Sequence, residues 1–225
     1  MSSKVELSKT DMIAIENNDS GYINNKGAKL YNEDTFDMSV EYYRLAATMG
    51  DTHAISNLGY CYLYGRSIEK NTSLAIAYFT VAAKKGDIDA AYKLGDIYST
   101  DKYVKKDDEL SIYYFNYAAA LLISEDWNEY EDIVHIIRLQ DYPSLCFALG
   151  RNMCIGGLMN TNLKLSYQFL KHAEIGYRYA IENGSDFYKE AYESVLEYLE
   201  KEEFASFKDE IDREFSGEDI EEDIF

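Results

Sequence analysis

The sequence predicts an all-α solenoid in which short pairs of helices repeat along the chain. Three observations predict this fold. Segments recur every 36 residues, apolar residues within them are spaced by four, and the 225 residues include 13 Gly but a single Pro. Proline interrupts helices and glycine commonly ends them, so this composition favours helices separated by glycine turns over many short strands.

The recurrence is clearest in one ten-residue segment. Tyr42–Asp51 reads YYRLAATMGD, and Tyr78–Asp87 reads YFTVAAKKGD, 36 positions later. A third copy begins at Tyr114 with the same shift, and a fourth is displaced by 19 further residues, with Gly150 as the counterpart of Gly95. A fixed period of this length is typical of stacked repeat proteins.

Each unit is predicted to contain two helices. In the first helix, Ala54, Leu58 and Tyr62 are spaced by four, which places them on one helical face. The second helix follows Asn71, whose side chain can cap free backbone N–H groups, and it ends at Gly86.

A glycine stands inside the first helix of several units, at Gly59, Gly95 and Gly150. A glycine within a helix costs about 1 kcal/mol relative to alanine. Because the cost recurs, we expect a neighbouring helix to pack closely against these positions.

These residues resemble the Sel-one-like repeat family, a class of tetratricopeptide-like helical repeats. The family's pattern is carried in this chain by Ala54, Leu58, Gly59, Tyr62, Gly65, Ala75, Phe79, Ala82, Ala83 and Gly86. The match is close over residues 39–119, partial over residues 146–176 and loose elsewhere. The resemblance implies a right-handed α-α superhelix in which first helices line a concave face and second helices form the outer layer.

We expect the whole chain, residues 1–225, to form a single helical-repeat domain. Its predicted parts are repeat units at about 12–50, 51–86 and 87–124, an inserted helix at about 126–141, a displaced repeat at 143–184, capping helices at 185–215 and an acidic tail at 216–225.

The function we expect is a non-enzymatic scaffold that binds a protein or peptide on the concave face. Tyrosine suits such a surface because it offers contact area at a low entropic cost, although a single Tyr can equally fill a gap between helices. By repeat offset, the residues on this face are His53, Ser56, Tyr60, Asp89, Tyr92, Asp96, Ser144, Phe147 and Arg151.

The charge balance bears on the partner and the compartment. The chain has 22 Lys and Arg against 41 Asp and Glu, a net charge of −19, which repels nucleic acid and anionic membranes and can attract a basic protein. Three Cys without paired spacing, and no apolar leader or membrane span, predict reduced thiols in a cytoplasmic protein. The oligomeric state is left open.

Motifs that carry chemistry do not emerge from the sequence. His53, His135 and His172 lie far apart, and no metal-ligand spacing, phosphate-binding loop or nucleophile elbow occurs. We therefore expect no metal, no cofactor and no catalytic residues. Two alternatives to the scaffold remain, a self-assembling structural protein and, as the less favoured of the two, a hydrolase carried on a repeat fold.

Overall fold

A computed structural model describes residues 6–122, 139–156 and 160–216, and every regular element within them is helical. The chain divides into two compact units, Met1–Asp107 and Asp108–Phe225. Each unit is described by itself, and the single domain expected over residues 1–225 stays a prediction.

The first unit is a series of antiparallel helix pairs. Helix α2 packs along α3 and α4 along α5, while α3 and α5 also contact the helices that follow them. The helices are α1 (Lys9–Glu16), α2 (Ser20–Asn32), α3 (Phe36–Thr48), α4 (Thr52–Tyr64), α5 (Thr72–Lys84) and α6 (Ile88–Ser99).

Glycine followed by aspartate ends one repeat and begins the next. Gly50 and Gly86 have φ values of 95° and 93°, a left-handed conformation that glycine adopts without steric cost. Asp51 and Asp87 then accept hydrogen bonds from the backbone N–H three residues ahead, at 2.8 and 2.7 Å. The chain thus reverses direction at the same two residue types in both places.

Close packing explains the glycines inside the first helices. A Cβ added at Gly59 would lie 2.8 Å from the ring of Phe79, and one at Gly150 would lie 2.8 Å from a side chain of its second helix. The expected close approach is therefore confirmed at both positions. Gly27 of α2 meets the ring of Tyr43 in the same way, also at 2.8 Å.

A partly buried ion pair holds α1 on the first repeat. The Asp11 side chain is fully buried, and both of its oxygens lie 2.7 Å from Lys26 Nζ. The Tyr42 hydroxyl and the Ser8 backbone N–H also donate to this carboxylate, at 2.9 and 2.7 Å. Burial alone would raise the pKa of Asp11, but these hydrogen bonds hold that pKa well below its usual range.

The second unit is organised around one long helix. Helix α9 packs closely along α8 and also contacts α10 and α11. The helices are α7 (Asp108–Leu122), α8 (Pro143–Ile155), α9 (Leu163–Glu182), α10 (Lys189–Leu199) and α11 (Lys208–Ser216), with short 3-10 turns at Leu139–Asp141, Asp186–Tyr188 and Glu202–Phe204.

The C-terminal helices cover α9 through an aromatic cluster. Tyr167 of α9 is buried, and its ring centre lies 5.1 Å from that of Phe204. Its hydroxyl donates to Asp212 of α11 at 3.0 Å, and Lys171 pairs with the same carboxylate at 3.3 Å. These contacts join the residues expected to cap the repeats to the helix before them.

Two predicted segments fall largely outside the described residues. Of the inserted helix expected at about 126–141, only Leu139–Asp141 is described, as a 3-10 turn. Of the acidic tail expected at 216–225, only Ser216 is described, as the last residue of α11.

Substituting Gly59→Ala tests the close approach of α4 and α5. Alanine favours helix, yet its Cβ would clash with the Phe79 ring, so we expect the free energy of unfolding to fall by about 1–3 kcal/mol. Gly21→Ala is the matched control, because its Cβ would meet its nearest neighbour at an ordinary 3.7 Å. Urea unfolding of both variants checks this, and equal stability of Gly59→Ala and the wild type would contradict it.

Substituting Asp11→Asn tests the ion pair that holds α1. Leaving Lys26 without its partner should lower the free energy of unfolding by about 2–3 kcal/mol at pH 7. The pKa of Asp11 is depressed in the folded state, so the ionised carboxylate stabilises the fold. This stabilisation is complete above the unfolded pKa of about 4 and is lost as the pH falls below that value. The difference between variant and wild type should therefore shrink below about pH 4, and a constant difference would contradict the assignment.

Candidate binding surface on the first helices

One face of helices α4 and α6 brings together aromatic and charged side chains. We call it the α4–α6 face, and its members are His53, Tyr60 and Tyr64 of α4 and Asp89, Tyr92, Lys93 and Asp96 of α6. Residues three or four apart on a helix share a face, which is why each helix contributes such a row.

Lys93 is the buried cation of this face. The residue is only 9% exposed, and its Nζ lies 3.1 Å from an Asp96 oxygen. The same nitrogen stands 5.1 Å from the ring centre of Tyr92 and 5.7 Å from that of Tyr60. Burial opposes the charge, but Tyr92, Tyr60 and Asp96 together hold the pKa of Lys93 well above its ordinary value. Lys93 therefore fastens α6 to α4 as a permanent cation.

His53 forms a second link between the two helices. Its Nδ1 lies 3.0 Å from Oδ2 of Asp87, whose side chain is 1% exposed, while the His53 side chain is 76% exposed. The hydrogen bond with Asp87 raises the pKa of His53, partial burial opposes this rise, and the charges of Asp51 and Asp89 add to it. The imidazole thus has one nitrogen engaged and the rest of its ring open to solvent.

Asp89 is the accessible carboxylate of the face. It is exposed, yet protein atoms crowd its carboxyl group, so partial loss of water and then repulsion by Asp87 raise the pKa of Asp89 to about 6. His53 and Lys93 oppose this rise only in part. Within the described residues, no ion pair is formed by Asp89.

The link at His53 has a counterpart one repeat earlier. The capping Asp51 accepts a hydrogen bond at 3.3 Å from Ser20, near the start of α2, just as the capping Asp87 contacts His53 near the start of α4. Each capping aspartate therefore uses one oxygen for its own helix and the other for the preceding first helix. The earlier link is a neutral hydroxyl, whereas the later link is an imidazole whose pKa is raised by Asp87.

The nine residues expected on the concave face fall into three situations. His53, Tyr60, Asp89, Tyr92 and Asp96 share the α4–α6 face. Ser56 is only 4% exposed, because its short side chain does not reach past the larger groups around it, and so it offers a partner no surface.

The remaining three residues expected on that face belong to the second unit and lie on α8. Ser144 accepts a hydrogen bond from the Tyr177 hydroxyl at 3.1 Å. Phe147 contacts Tyr198 edge to face with 5.8 Å between ring centres, and Arg151 stands over the Phe147 ring at 5.8 Å. These side chains form their own half-buried cluster within the second unit.

The sequence analysis missed Lys93 and Tyr64. Lys93 looks like an ordinary surface lysine in the sequence, but it stands three residues before Asp96 and one turn after Asp89 on the same helix. A lysine flanked in this way by carboxylates was the signal that could have identified it. Tyr64 stacks on Tyr60 with 6.2 Å between ring centres.

Over residues 6–122, 139–156 and 160–216, no cluster of three His, Cys, Asp or Glu is arranged to hold a metal ion. In the same residues, no helix combines the length and apolar character needed to cross a membrane. Burial raises the pKa of Cys61 to about 12 and also raises that of Cys146, so both thiols are poor nucleophiles at neutral pH.

The repeated helix pairs define the class of this protein as an α-helical repeat protein. Comparison with family models then names the repeat, because the Sel1 repeat model matches residues 19–51, 52–87 and 88–121. Residues 19–121 therefore consist of Sel1-like repeats, as the sequence analysis predicted, and α1 precedes the first matched repeat. The matched segments end at residue 121, so the displaced fourth repeat at 143–184 stays a prediction.

Solved structures share the fold at low sequence identity. A Sel1 repeat protein from Oxalobacter formigenes has 20% identity and a TM-score of 0.50, over 75% of this chain and 74% of that one. A protective antigen of uropathogenic Escherichia coli strains, described as displaying an SLR fold, has the same identity and TM-score over 80% of this chain and 37% of that one. The all-α solenoid fold predicted from the sequence is thus confirmed. No curated protein matches the chain.

Substituting Asp89→Asn tests the crowding of carboxylates on the α4–α6 face. The pKa of Asp89 is raised in the folded state, so the wild type loses stability as the pH rises from about 4 to about 6. The variant should avoid this loss and be slightly more stable at pH 7, by less than about 1 kcal/mol because the group is exposed. Its His53 should also titrate at lower pH, since the charge of Asp89 raises the pKa of His53.

The matched control is Glu193→Gln, which removes one exposed negative charge from α10. Urea unfolding from pH 4 to 8 and NMR titration of the His53 ring would check both effects. A His53 titration that shifts equally in the two variants, or in neither, would reject the arrangement.

Proposed function

We propose that this chain is a non-enzymatic scaffold that holds a protein or peptide against the α4–α6 face. Sel1 repeats in general serve as protein-interaction scaffolds, and that general role is the starting point. The finer proposal is the location of the binding surface on α4 and α6. Within the second unit, Ser144, Phe147 and Arg151 of α8 stay predicted binding residues.

One observation carries the proposal. Tyr60 and Tyr92 are each held by Lys93, so the rings are positioned before a partner arrives. Fixed aromatic side chains lose little conformational entropy on binding, and for this reason they dominate the energy of many interfaces. Accessible Asp89 and His53 stand beside these rings and can select the partner by charge and hydrogen bonding.

The supporting groups limit which residues can be changed in a test. Asp96 neutralises Lys93, and Tyr60 packs edge to face on Phe79 with 4.9 Å between ring centres. Altering either would disturb the helices themselves. Asp89 and Tyr92 are better sites, since Asp89 lies in the first turn of α6 and Tyr92 is half-buried at its surface.

The test compares partner capture by the double variant Asp89→Arg with Tyr92→Ala and by the wild type. Tagged proteins would be incubated with native lysate, and bound proteins would be identified by mass spectrometry. We expect the double variant to lose at least about 90% of its specific partner, a loss of about 1.4 kcal/mol or more.

The matched control is Glu109→Arg with Tyr113→Ala. Both residues are exposed, and Glu109 lies in the first turn of α7, as Asp89 does in α6. The control therefore makes the same charge reversal and the same tyrosine truncation at another surface. Unfolding curves would show that both variants remain folded. Equal capture by the two variants would contradict the α4–α6 face as the binding surface, and oligomers blocked only by the first variant would favour the self-assembling alternative.

A further inference from the structure

We propose that the α4–α6 face docks its partner through a basic side chain seated beside Asp89, in the corner that Asp89 forms with His53 and Asp87, and that this docking weakens in mild acid. The inference rests on the proposed function and adds the chemistry of the partner and a form of regulation.

The charges of the face leave a place for one more cation. Asp96 is occupied by Lys93 at 3.1 Å, and Asp87 is occupied by His53 at 3.0 Å and by the backbone N–H of Ala90 at 2.7 Å. Asp89 remains accessible and forms no ion pair within the described residues. An ammonium or guanidinium group from a partner would pair with the Asp89 carboxylate. Its positive charge would also offset the repulsion between Asp89 and Asp87.

The neighbouring aromatic ring favours the same kind of ligand. Tyr92 stands one turn after Asp89 on α6, so the two side chains are neighbours on the helix surface. A cation placed at the Asp89 carboxylate can therefore lie against a ring, as Lys93 already does at Tyr92 and Tyr60. Arginine fits best, because its planar group can pair with a carboxylate through two hydrogen bonds while stacking on a ring.

Protons compete with such a ligand for the corner. The groups that act on it are Asp51 at the start of α4, His53 within α4, Asp87 and Asp89 at the start of α6, and Lys93 further along α6. Its surroundings raise the pKa of Asp89 to about 6, so Asp89 gains a proton as the pH falls from 7.5 to 5. The hydrogen bond with Asp87 raises the pKa of His53, so His53 is protonated more readily than a free imidazole. Each proton makes the corner more positive, and a basic side chain is then bound less tightly.

Two synthetic peptides would test the inference on the full chain. One is a fluorescent, acetylated and amidated nonapeptide of alternating alanine and arginine, and the other has glutamine in place of arginine. Fluorescence anisotropy would give the dissociation constants at pH 7.5 and 5.0 in 0.15 M salt, and NMR of the Asp89 side-chain carboxyl carbon would locate the contact.

The arginine peptide should bind more tightly than the glutamine peptide at pH 7.5, and its affinity should fall about tenfold at pH 5.0, a change of about 1.4 kcal/mol. Asp89→Asn should weaken binding at pH 7.5 by a similar factor and remove most of the pH dependence. The matched charge control Glu193→Gln should change the affinity by less than about twofold, because salt screens distant charges.

Other outcomes distinguish a failure of the docking proposal from a failure of the proposed scaffold function. Equal weakening by Asp89→Asn and Glu193→Gln would mean diffuse attraction to an acidic protein and would overturn the docking corner. Equal binding of the two peptides, or binding of neither, would overturn the basic ligand and leave the scaffold to be judged by the capture experiment. Loss of partner capture in the double variant with pH-independent peptide binding would retain the surface and reject the regulation.

Discussion

The distance between the two helices of a repeat is the constraint on which the rest of this structure depends. It is set where a glycine of the first helix faces a large side chain of the second, as Gly59 faces the fully buried Phe79. Burying a phenylalanine contributes roughly 1.5–3 kcal/mol, which exceeds the roughly 1 kcal/mol that a glycine costs inside a helix. The close approach is therefore favourable overall, and it is available at the same place in successive units.

This packing also decides which groups remain for recognition. The apolar row of a first helix packs against its second helix, so the side chains beside that row lie on another face of the first helix. In the first unit the capping aspartates then join neighbouring repeats, since Asp51 and Asp87 each bind a side chain of the preceding first helix. The position of α6 beside α4, and hence the arrangement of Tyr60, Tyr92 and Asp89, follows from these local rules.

The parts of the structure that obey a local rule could be predicted from the sequence. The period, the glycine turns, the aspartate caps and the glycine contacts each depend on a few neighbouring residues, and they recur. Lys93, Ser56 and Asp11 could not be predicted in this way. Their burial depends on groups brought together by tertiary packing, as when Asp11 meets Lys26, 15 residues away, and Tyr42, 31 residues away. A repeat offset transfers the position of a residue but not the size of the side chains around it, which is why Ser56 is buried where Tyr92 is half-exposed.

Asp89 is a residue whose ionised side chain destabilises the fold. A carboxylate in the first turn of a helix is normally stabilised by the helix dipole, and Asp87 already provides the cap. A second carboxylate so close to Asp87 gains little from the dipole and suffers repulsion and loss of water, and its raised pKa records this cost. Proteins tend to retain such locally unfavourable groups where binding requires them. The same two forces that disfavour the ionised carboxylate in the free chain would be relieved by a cation from outside, so the instability of Asp89 and its capacity for recognition have one physical origin.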